Sequence, residues 1–322
     1  MKTVQIDKFG DPADVLKLTD VAEPPAPGAR EVAVQVAYSP VNLHDLAFIS
    51  GQLGQPRLPL VPGNEGIAHV VSVGRQVDNV SVGDLVVLPL LAGAWRERLV
   101  IPSPGLFALP DADILQLSML GSNTPAAGLI LSEYADLKEG DWVVQDAANG
   151  GVGRNIIALA KNRGFKTINF VRRESAISEV RAAGGDIALI DRPGAVDEIR
   201  GQIGDGRVLV AADSVGGSVA STMLELLAPG GTLVSFGNAS GEPVDQDSPA
   251  VKEKKLTVAG LFVPAFDNLH KIVPVIREAA PLVARGTLAA PVEAVYPLDN
   301  VLRAVAHAQR GGKILLRVDP SA

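Results

Sequence analysis

Two patterns of apolar residues divide the chain. From about residue 4 to 117, short apolar stretches lie between Gly/Pro turn clusters, and Val32, Val34 and Val36 alternate with other residues. Alternation with a period of two is typical of strands with one buried face. Many short strands separated by such turns predict a compact, barrel-like β domain.

From about residue 119, apolar strands alternate with helical patterns instead. Strands are predicted at residues 187–190, 207–212, 232–236 and 256–261. This alternation predicts an α/β domain built on a doubly wound parallel sheet of about six strands. After residue 264 the chain returns to the style of its first part. The simplest architecture inserts this α/β domain, residues 119–262, into a domain of residues 1–118 and 263–322.

The clearest motif lies in residues 141–173, which predict a strand, a turn, a helix and a second strand. The turn reads ANGGVG and fits G-x-G-x-x-G, with Ala148, Gly150 and Gly153 in the three glycine places. In this context the pattern predicts a dinucleotide whose pyrophosphate lies on the helix N-terminus, whereas the bare string would also fit an ordinary glycine-rich turn. The predicted contacts are Asn149, Gly150, Gly151, Val152 and Gly153.

The end of the second strand indicates which dinucleotide binds. NAD sites usually carry Asp or Glu there for the ribose hydroxyls, but this chain carries Arg172 and Arg173. A guanidinium offers a 2′-phosphate a charge-assisted pair of hydrogen bonds. The pair therefore predicts NADPH as the cofactor, although a solvated basic pair at a strand end is the alternative.

Composition narrows the class of protein. Of the 322 residues, 47% are hydrophobic and 20% charged, which is typical of a soluble globular chain. The net charge of −7 argues against a nucleic-acid partner or an acidic membrane surface. The chain has no cysteine, which excludes disulfides and thiolate zinc sites. No signal peptide or membrane span is predicted, so we expect a cytoplasmic protein.

The chain resembles the zinc-independent medium-chain dehydrogenases/reductases, in the branch of quinone oxidoreductases and trans-2-enoyl-thioester reductases. The resemblance covers nearly the whole chain and implies a Rossmann domain inserted into a GroES-like catalytic domain. Its motifs are NLHD at 42–45, PGNEG at 62–66, GAWRE at 93–97, GSN at 121–123, NGGVG at 149–153, TINFVR at 167–172, DSVGG at 213–217 and GK at 312–313.

Zinc-dependent relatives carry Cys at the position of Asn42 and His at the position of Asn64. An amide is a poor ligand for catalytic zinc, and the four histidines show no metal-ligand spacing. We therefore expect no metal. Without a Lewis acid, hydride transfer suits an acceptor that spreads charge by conjugation.

The resemblance also implies the residues around the nicotinamide and the reacting atoms. Asn42 is expected to donate to a carbonyl or to position the carboxamide, Asp45 to hold the turn after it, and Lys313 to reach a cofactor phosphate or cap a strand. The remaining expected cofactor contacts are Val215, Gly216, Phe236, Gly237, Asn238, Phe262 and Val263.

One departure from the family affects the proton donor. Relatives commonly carry a Tyr in the loop after Asn-x-x-Asp, and Leu53 stands at that place here. Leucine cannot donate a proton, so either solvent or another group protonates the product, with Tyr38 as the candidate.

The function predicted is NADPH-dependent reduction of an α,β-unsaturated carbonyl compound or a quinone. A trans-2-enoyl-CoA or enoyl-ACP reductase is the alternative within this class. A catalytically silent NADPH-binding sensor or structural protein is the alternative from another class. A homodimer is expected through the apolar strand of residues 256–262, from Leu256 to Phe262, because such an edge is rarely left bare.

Overall fold

The computed structural model describes residues 1–264 and 269–321, and it divides the chain into two compact units. The first unit consists of Met1–Ser122, Ile276–Arg285 and Ala289–Ala322. The second consists of Asn123–Val275 with Gly286–Leu288. A helix, α10 (Leu269–Ala284), contributes residues to both units.

The first unit is built mainly from strands. Its strands are β1 (Lys2–Gln5), β2 (Lys17–Asp20), β3 (Glu31–Val41), β4 (Ile67–Val73), β5 (Leu85–Val87), β6 (Arg98–Pro102), β13 (Ala294–Pro297) and β14 (Ile314–Arg317). One sheet has the order β13-β14-β3-β4-β5, with β6 also paired to β3, while β1 and β2 form a separate pair. Val32, Val34 and Val36 are fully buried, as their alternation predicts, and they belong to a continuous apolar core.

Helices interrupt this unit, and the first three of them lie where the sequence predicts only β structure. They are α1 (Pro12–Val15), α2 (Leu43–Ile49), α3 (Ile114–Leu117), a 3-10 turn (Leu298–Asn300) and α11 (Val301–Ala308). Helix α2 begins after Asn42, whose backbone N–H donates to Asp45 Oδ2 at 2.8 Å. Helices α1 to α3 span two turns or fewer, so they show too little periodicity to be predicted from apolar positions alone.

The second unit alternates strands and helices. Its elements are α4 (Asn123–Glu133), β7 (Trp142–Gln145), α5 (Gly151–Asn162), β8 (Lys166–Phe170), α6 (Ser175–Ala182), β9 (Ile187–Leu189), α7 (Ala195–Ile203), β10 (Val208–Asp213), α8 (Gly217–Leu226), β11 (Thr232–Ser235), α9 (Pro249–Lys254) and β12 (Thr257–Gly260). All strands are parallel, in the order β12-β11-β10-β7-β8-β9. This is the doubly wound Rossmann order, so the predicted fold class is confirmed.

Helix α4 is absent from the sequence-based prediction for a physical reason. Its residues from Thr124 to Leu131 are all buried. A helix that is covered on every side needs no polar face, so it lacks the 3.6-residue apolar period by which helices are recognised.

Strand β12 lies at one edge of the parallel sheet and pairs only with β11 in the described part of the chain. Thr257 and Leu261 donate their N–H groups toward the β11 side, to Gly231 and Ser235. By alternation, the N–H groups of Val258 and Gly260 point away from the sheet. In the described ranges, no helix is long and apolar enough to cross a membrane.

Candidate functional site

The turn between β7 and α5 carries the predicted fingerprint. Gly150 caps α5 in an extended conformation, with φ −77° and ψ 179°. A Cβ on Gly153 would lie 2.5–2.7 Å from backbone atoms of Ala148, and one on Gly151 would lie 2.5 Å from the amide of Asn123. A Cβ on Gly150 would meet only the Ala147 carbonyl oxygen, at 3.0 Å. Gly151 and Gly153 are thus needed for close packing. Gly150 has no side chain that would cover the N-terminus of α5, which leaves its N–H groups accessible to an anion.

A cavity of about 570 Å³ lies at the carboxyl ends of β7 to β10. Its lining includes Asn149, Arg172, Arg173, Asp191, Val215 and Ser218. Ligands of open α/β sheets bind outside the carboxyl ends of the strands where the strand order reverses, and here that point lies between β7 and β10. The cavity therefore occupies the position at which this fold binds ligands.

Arg172 and Arg173 follow β8 and are exposed on this cavity. Among the described residues, neither guanidinium has an ion-pair partner. The acidic side chain of the cavity rim, Asp191, instead accepts from Thr222 Oγ1 at 2.8 Å and from Ser218 Oγ at 3.2 Å. Two guanidinium groups without an ion-pair partner therefore line a cavity of nucleotide size, which fits a phosphorylated ligand.

The loop after β10 forms another wall of the cavity. Gly216 has φ +76°, and a Cβ there would lie 2.1 Å from the Glu242 carbonyl oxygen. Only glycine allows both this conformation and this close backbone contact. Val215, which precedes it, lines the cavity with Ser218 of α8.

A second cavity, of about 290 Å³, lies beside the carboxyl ends of β10 to β12. Asp213, Gly216, Gly237 and Asn238 contribute to its lining. The Phe236 N–H donates to the Asp213 carbonyl oxygen at 2.8 Å, which holds the loop after β11 against the loop after β10.

Phe262 and Val263 follow β12; Phe262 is 48% exposed and Val263 half-buried. Neither residue lines this second cavity or the larger one beside β7 to β10. Their expected contact with the nicotinamide stays a prediction.

Two buried carboxyl groups, which the sequence analysis did not select, lie at the point where the strand order reverses. Asp146 follows β7 and is 3% exposed, and Asp213 ends β10 and is 0% exposed. The groups lie within hydrogen-bonding range of each other, and burial followed by this contact raises the pKa of Asp146 to about 7. The Rossmann strand order could have revealed the pair, because the ends of its first and fourth strands are neighbours.

In the first unit, the structure brings together Asn42, Asp45 and Lys313. Lys313 Nζ donates to Asn42 Oδ1 at 2.8 Å, and Asn42 Nδ2 donates to Glu65 Oε1 at 2.8 Å. Glu65 is fully buried, and its Oε2 also accepts from the Ser122 N–H at 2.8 Å. Lys313 thus has a partner within its own unit, and its expected contact with a cofactor phosphate or role as a strand cap stays a prediction.

Asp45 belongs to the same hydrogen-bond network and holds its backbone. Its carboxyl accepts from the Asn42 N–H at 2.8 Å and from the Asn64 N–H at 2.7 Å. Burial raises the pKa of Asp45 to about 7 against the effect of these two hydrogen bonds. Burial also raises the pKa of Glu65, and the nearby Lys313 ammonium opposes that shift.

Tyr38 lies within β3 and is 7% exposed, between Ile67 of β4 and Arg317 of β14. Its hydroxyl has no hydrogen-bond partner in the described part of the chain. Leu53 is 39% exposed in the loop after α2. No cluster of three or more His, Asp or Glu side chains suited to a metal ion occurs within residues 1–264 and 269–321.

Comparisons with known proteins place the chain in a family. A family model described as zinc-binding dehydrogenase matches residues 151–278, and one described as alcohol dehydrogenase GroES-like domain matches residues 28–111. The chain is 33% identical to a protein of Xenopus tropicalis named enoyl-[acyl-carrier-protein] reductase, mitochondrial, over 94% of this chain and 90% of the relative.

Two solved structures support this placement. A putative NADPH:quinone reductase from Bacillus thuringiensis has a TM-score of 0.87 at 25% identity, covering 99% of both chains. The Escherichia coli quinone oxidoreductase complexed with NADPH has a TM-score of 0.82 at 25% identity, covering 99% of this chain and 100% of that one. The chain belongs to the medium-chain dehydrogenases/reductases, in the zinc-independent branch of quinone oxidoreductases and enoyl thioester reductases, and the predicted resemblance is confirmed.

Proposed function

We propose that this protein is an NADPH-dependent, metal-independent oxidoreductase that transfers hydride to the activated C=C bond of an α,β-unsaturated carbonyl compound or to a quinone. The observation that carries the proposal is the cavity at the carboxyl ends of β7 to β10. Asn149, in the turn before the uncapped N-terminus of α5, lines this cavity, and that turn is the proposed pyrophosphate site. Arg172 and Arg173, which have no ion-pair partner among the described residues, also line it and are proposed to bind a 2′-phosphate. The relatives named enoyl reductases and NADPH:quinone reductases support the same chemistry.

When bound, NADPH supplies the hydride. The protein then has to bind the acceptor's carbonyl oxygen, on which negative charge develops. Asn42 is the proposed donor because its Oδ1 and one N–H are held by Lys313 and Glu65, and its second amide N–H has no partner among the described residues. Asp45 is a positioning residue that holds the backbone of Asn42.

Two acceptors remain as candidates. The 33% identity to an enoyl-[acyl-carrier-protein] reductase favours an enoyl thioester, whereas Leu53, where those enzymes carry Tyr, favours the broader enone or quinone assignment. Loss of NADPH absorbance with crotonyl-CoA and with a quinone separates the two. An increase of several-fold with crotonyl-CoA in Leu53→Tyr would support the enoyl-thioester reductase. Tight NADPH binding without turnover of any acceptor would favour the silent binding protein.

The cofactor is tested through the arginine pair. We expect the double variant Arg172→Ala/Arg173→Ala to weaken NADPH binding about 100-fold, since each charge-assisted hydrogen bond contributes about 1.5–3 kcal/mol. NADH, which lacks the 2′-phosphate, should be affected only slightly. Arg181→Ala, in α6 and away from the cavity lining, is the matched control. Equal losses for NADPH and NADH would contradict the assignment.

We also propose a homodimer through residues 256–262. The support is the edge position of β12, where the outward N–H groups of Val258 and Gly260 could pair with a second copy. Val258→Pro removes one outward N–H without removing a hydrogen bond to β11, whereas Val258→Thr keeps it. Light scattering should then give a monomer for the Pro variant and a dimer for the Thr variant. A dimer in both would exclude pairing through this edge.

The cytoplasm is the proposed location. The absence of cysteine fits a reducing compartment, although the relative from Xenopus tropicalis is named mitochondrial. Fractionation of cells that produce the natural protein tests this assignment, and recovery with an organelle marker would contradict it.

A further inference from the structure

The backbone N–H groups of the loop after β10 donate to two carboxyl groups that are not part of the cofactor fingerprint. Asp146 Oδ1 accepts from the Ser214 N–H and the Ser214 hydroxyl, both at 2.9 Å, and its Oδ2 accepts from the Val215 N–H at 3.2 Å. Asp213 Oδ1 accepts from the Gly216 N–H at 2.8 Å. The three backbone N–H groups of residues 214–216, in a wall of the cofactor cavity, thus all donate to these two side chains, while the Ser214 and Val215 carbonyl oxygens accept from Ala239 and Ser240.

The remaining oxygen of the pair has no donor. Asp213 Oδ2 is buried and receives no hydrogen bond from any N–H or O–H group of the described residues. Its neighbour is the carboxyl group of Asp146. No Lys or Arg within residues 1–264 and 269–321 forms an ion pair with either group. One proton between the two carboxyls would satisfy this oxygen and remove the repulsion of two buried charges.

We propose that Asp146 and Asp213 share one proton, that this proton keeps residues 214–217 in the cofactor-binding position, and that NADPH binds together with it. Asp146 is then a positioning residue of the cofactor site. This inference rests on the proposed NADPH site. Loss of the proton would leave two facing carboxylates, which repel each other and release the loop that both of them hold.

The negative charge of the cofactor also favours the protonated form of the carboxyl pair. Asp146 lines the cavity that is proposed to receive the anionic cofactor, so a second negative charge there opposes binding. Arg172 and Arg173 at the end of β8 attract the same anion, whereas Asp191 after β9 and Glu242 beside the smaller cavity repel it. Asp213→Asn and Asp146→Asn leave these four groups and the titration of the NADPH phosphate unchanged. A difference in pH dependence between these variants and the unmodified protein therefore reports on the carboxyl pair.

An amide has different consequences at the two positions of the carboxyl pair. In Asp213→Asn, Oδ1 can still accept from the Gly216 N–H while the amide N–H₂ replaces the oxygen that lacks a donor and donates to Asp146. In Asp146→Asn, one of two oxygens that accept backbone N–H groups is lost, and the amide faces the Val215 N–H. Asp213→Asn therefore mimics the protonated pair, and Asp146→Asn is the control that removes the charge but disturbs the loop.

The test is the dissociation constant of NADPH between pH 6.5 and 8.5. For the unmodified protein we expect it to rise at least fivefold across this range, with at most a tenfold rise per pH unit for one linked proton. Asp213→Asn should show a change below twofold and keep the low-pH affinity. Asp146→Asn should also be pH-independent but bind more weakly.

Proton uptake gives a readout that needs no variant. Calorimetry at pH 8 in buffers of different ionisation enthalpy should count between half a proton and one proton taken up per NADPH bound. No uptake, a pH-independent affinity, or an unchanged pH slope in Asp213→Asn would overturn the shared proton while leaving the NADPH assignment intact. Failure to bind NADPH at any pH would overturn both.

Discussion

Each unit of the protein buries a pair of carboxyl groups, and the two pairs are stabilised in different ways. In the first unit, Asp45 and Glu65 are linked through Asn42, and the ammonium group of Lys313 binds the same amide. In the second unit, Asp146 and Asp213 face each other, and no ion pair with Lys or Arg reaches them in the described part of the chain. The first pair is balanced by a fixed cation, and we infer that the second is balanced by a proton.

The two units therefore differ in the group that compensates the buried negative charge. The ammonium group of Lys313 belongs to a side chain of the same network, and it opposes the rise in the pKa of Glu65 without any proton being taken up there. A shared proton can leave, so the loop that it holds can respond. Four predictions test this comparison, beginning with the largest expected effect.

Removal of the cation should have the largest effect. Lys313→Met leaves Glu65 buried without a counter-charge, which costs about 3 kcal/mol in the free energy of unfolding at pH 8. Without the ammonium the pKa of Glu65 rises further, so the loss should shrink toward pH 5.5 as Glu65 takes up a proton. Urea denaturation at both pH values measures this. Lys252→Met, at an exposed lysine, is the control, and equal losses at the two pH values would contradict the role of Glu65.

Neutralisation of the first pair should also destabilise the protein. Glu65→Gln sets an amide N–H₂ against either Asn42 Nδ2 or the Ser122 N–H, because both oxygens of Glu65 accept hydrogen bonds. It also leaves Lys313 without its nearby carboxylate. We expect a loss of about 2 kcal/mol at pH 8 in urea denaturation. A stabilised variant would mean that the first pair, too, is held by a proton.

Neutralisation of one carboxyl group of the second pair should stabilise the protein, in contrast to Glu65→Gln. The pKa of Asp146 is raised to about 7, so between about pH 4 and 7 the folded protein holds a proton that the unfolded chain has lost, and stability falls as the pH rises through this window. Asp213→Asn removes the part of that loss that comes from the contact between the two carboxyl groups, while the burial of Asp146 remains. We expect a gain of about 2 kcal/mol at pH 8, since one pKa unit corresponds to about 1.4 kcal/mol, and little change at pH 4.

Thermal or urea unfolding of Asp213→Asn and of the unmodified protein between pH 4 and 8 gives this difference directly. A loss of stability at pH 8 would show that Asp213 contributes as a carboxylate. Glu65→Gln and Asp213→Asn would then both lower the free energy of unfolding, and the contrast between the units would disappear.

The smallest effect is expected at Tyr38. Its side chain is buried in β3 and contributes packing area, which Phe retains. We expect Tyr38→Phe to change the rate of NADPH oxidation less than twofold with any acceptor. A rate loss above tenfold, with unchanged NADPH affinity, would identify Tyr38 as the proton donor and would give the first unit an exchangeable proton of its own.

Much of the second unit could be predicted from the sequence because its strands are buried and its helices amphipathic. Residues 187–190, 207–212 and 232–236 were predicted as strands and overlap β9, β10 and β11. Helix α4 was missed because it is buried on all sides, and α2 because seven residues give too little periodicity. The arginine pair was selected because its place after the second strand has a known chemical role.

The sequence by itself determined the doubly wound α/β class, the fingerprint turn, the missing zinc ligands and the basic pair that indicates NADPH. These features depend on neighbours in the chain, so local patterns carry them. Only the tertiary structure decided which distant residues meet: Lys313 with Asn42, 271 positions apart, and Asp146 with the loop that begins at Ser214, 68 positions away. Whether a buried carboxyl group faces a cation or a second carboxyl depends on how the strands are ordered in space, and no local pattern records it.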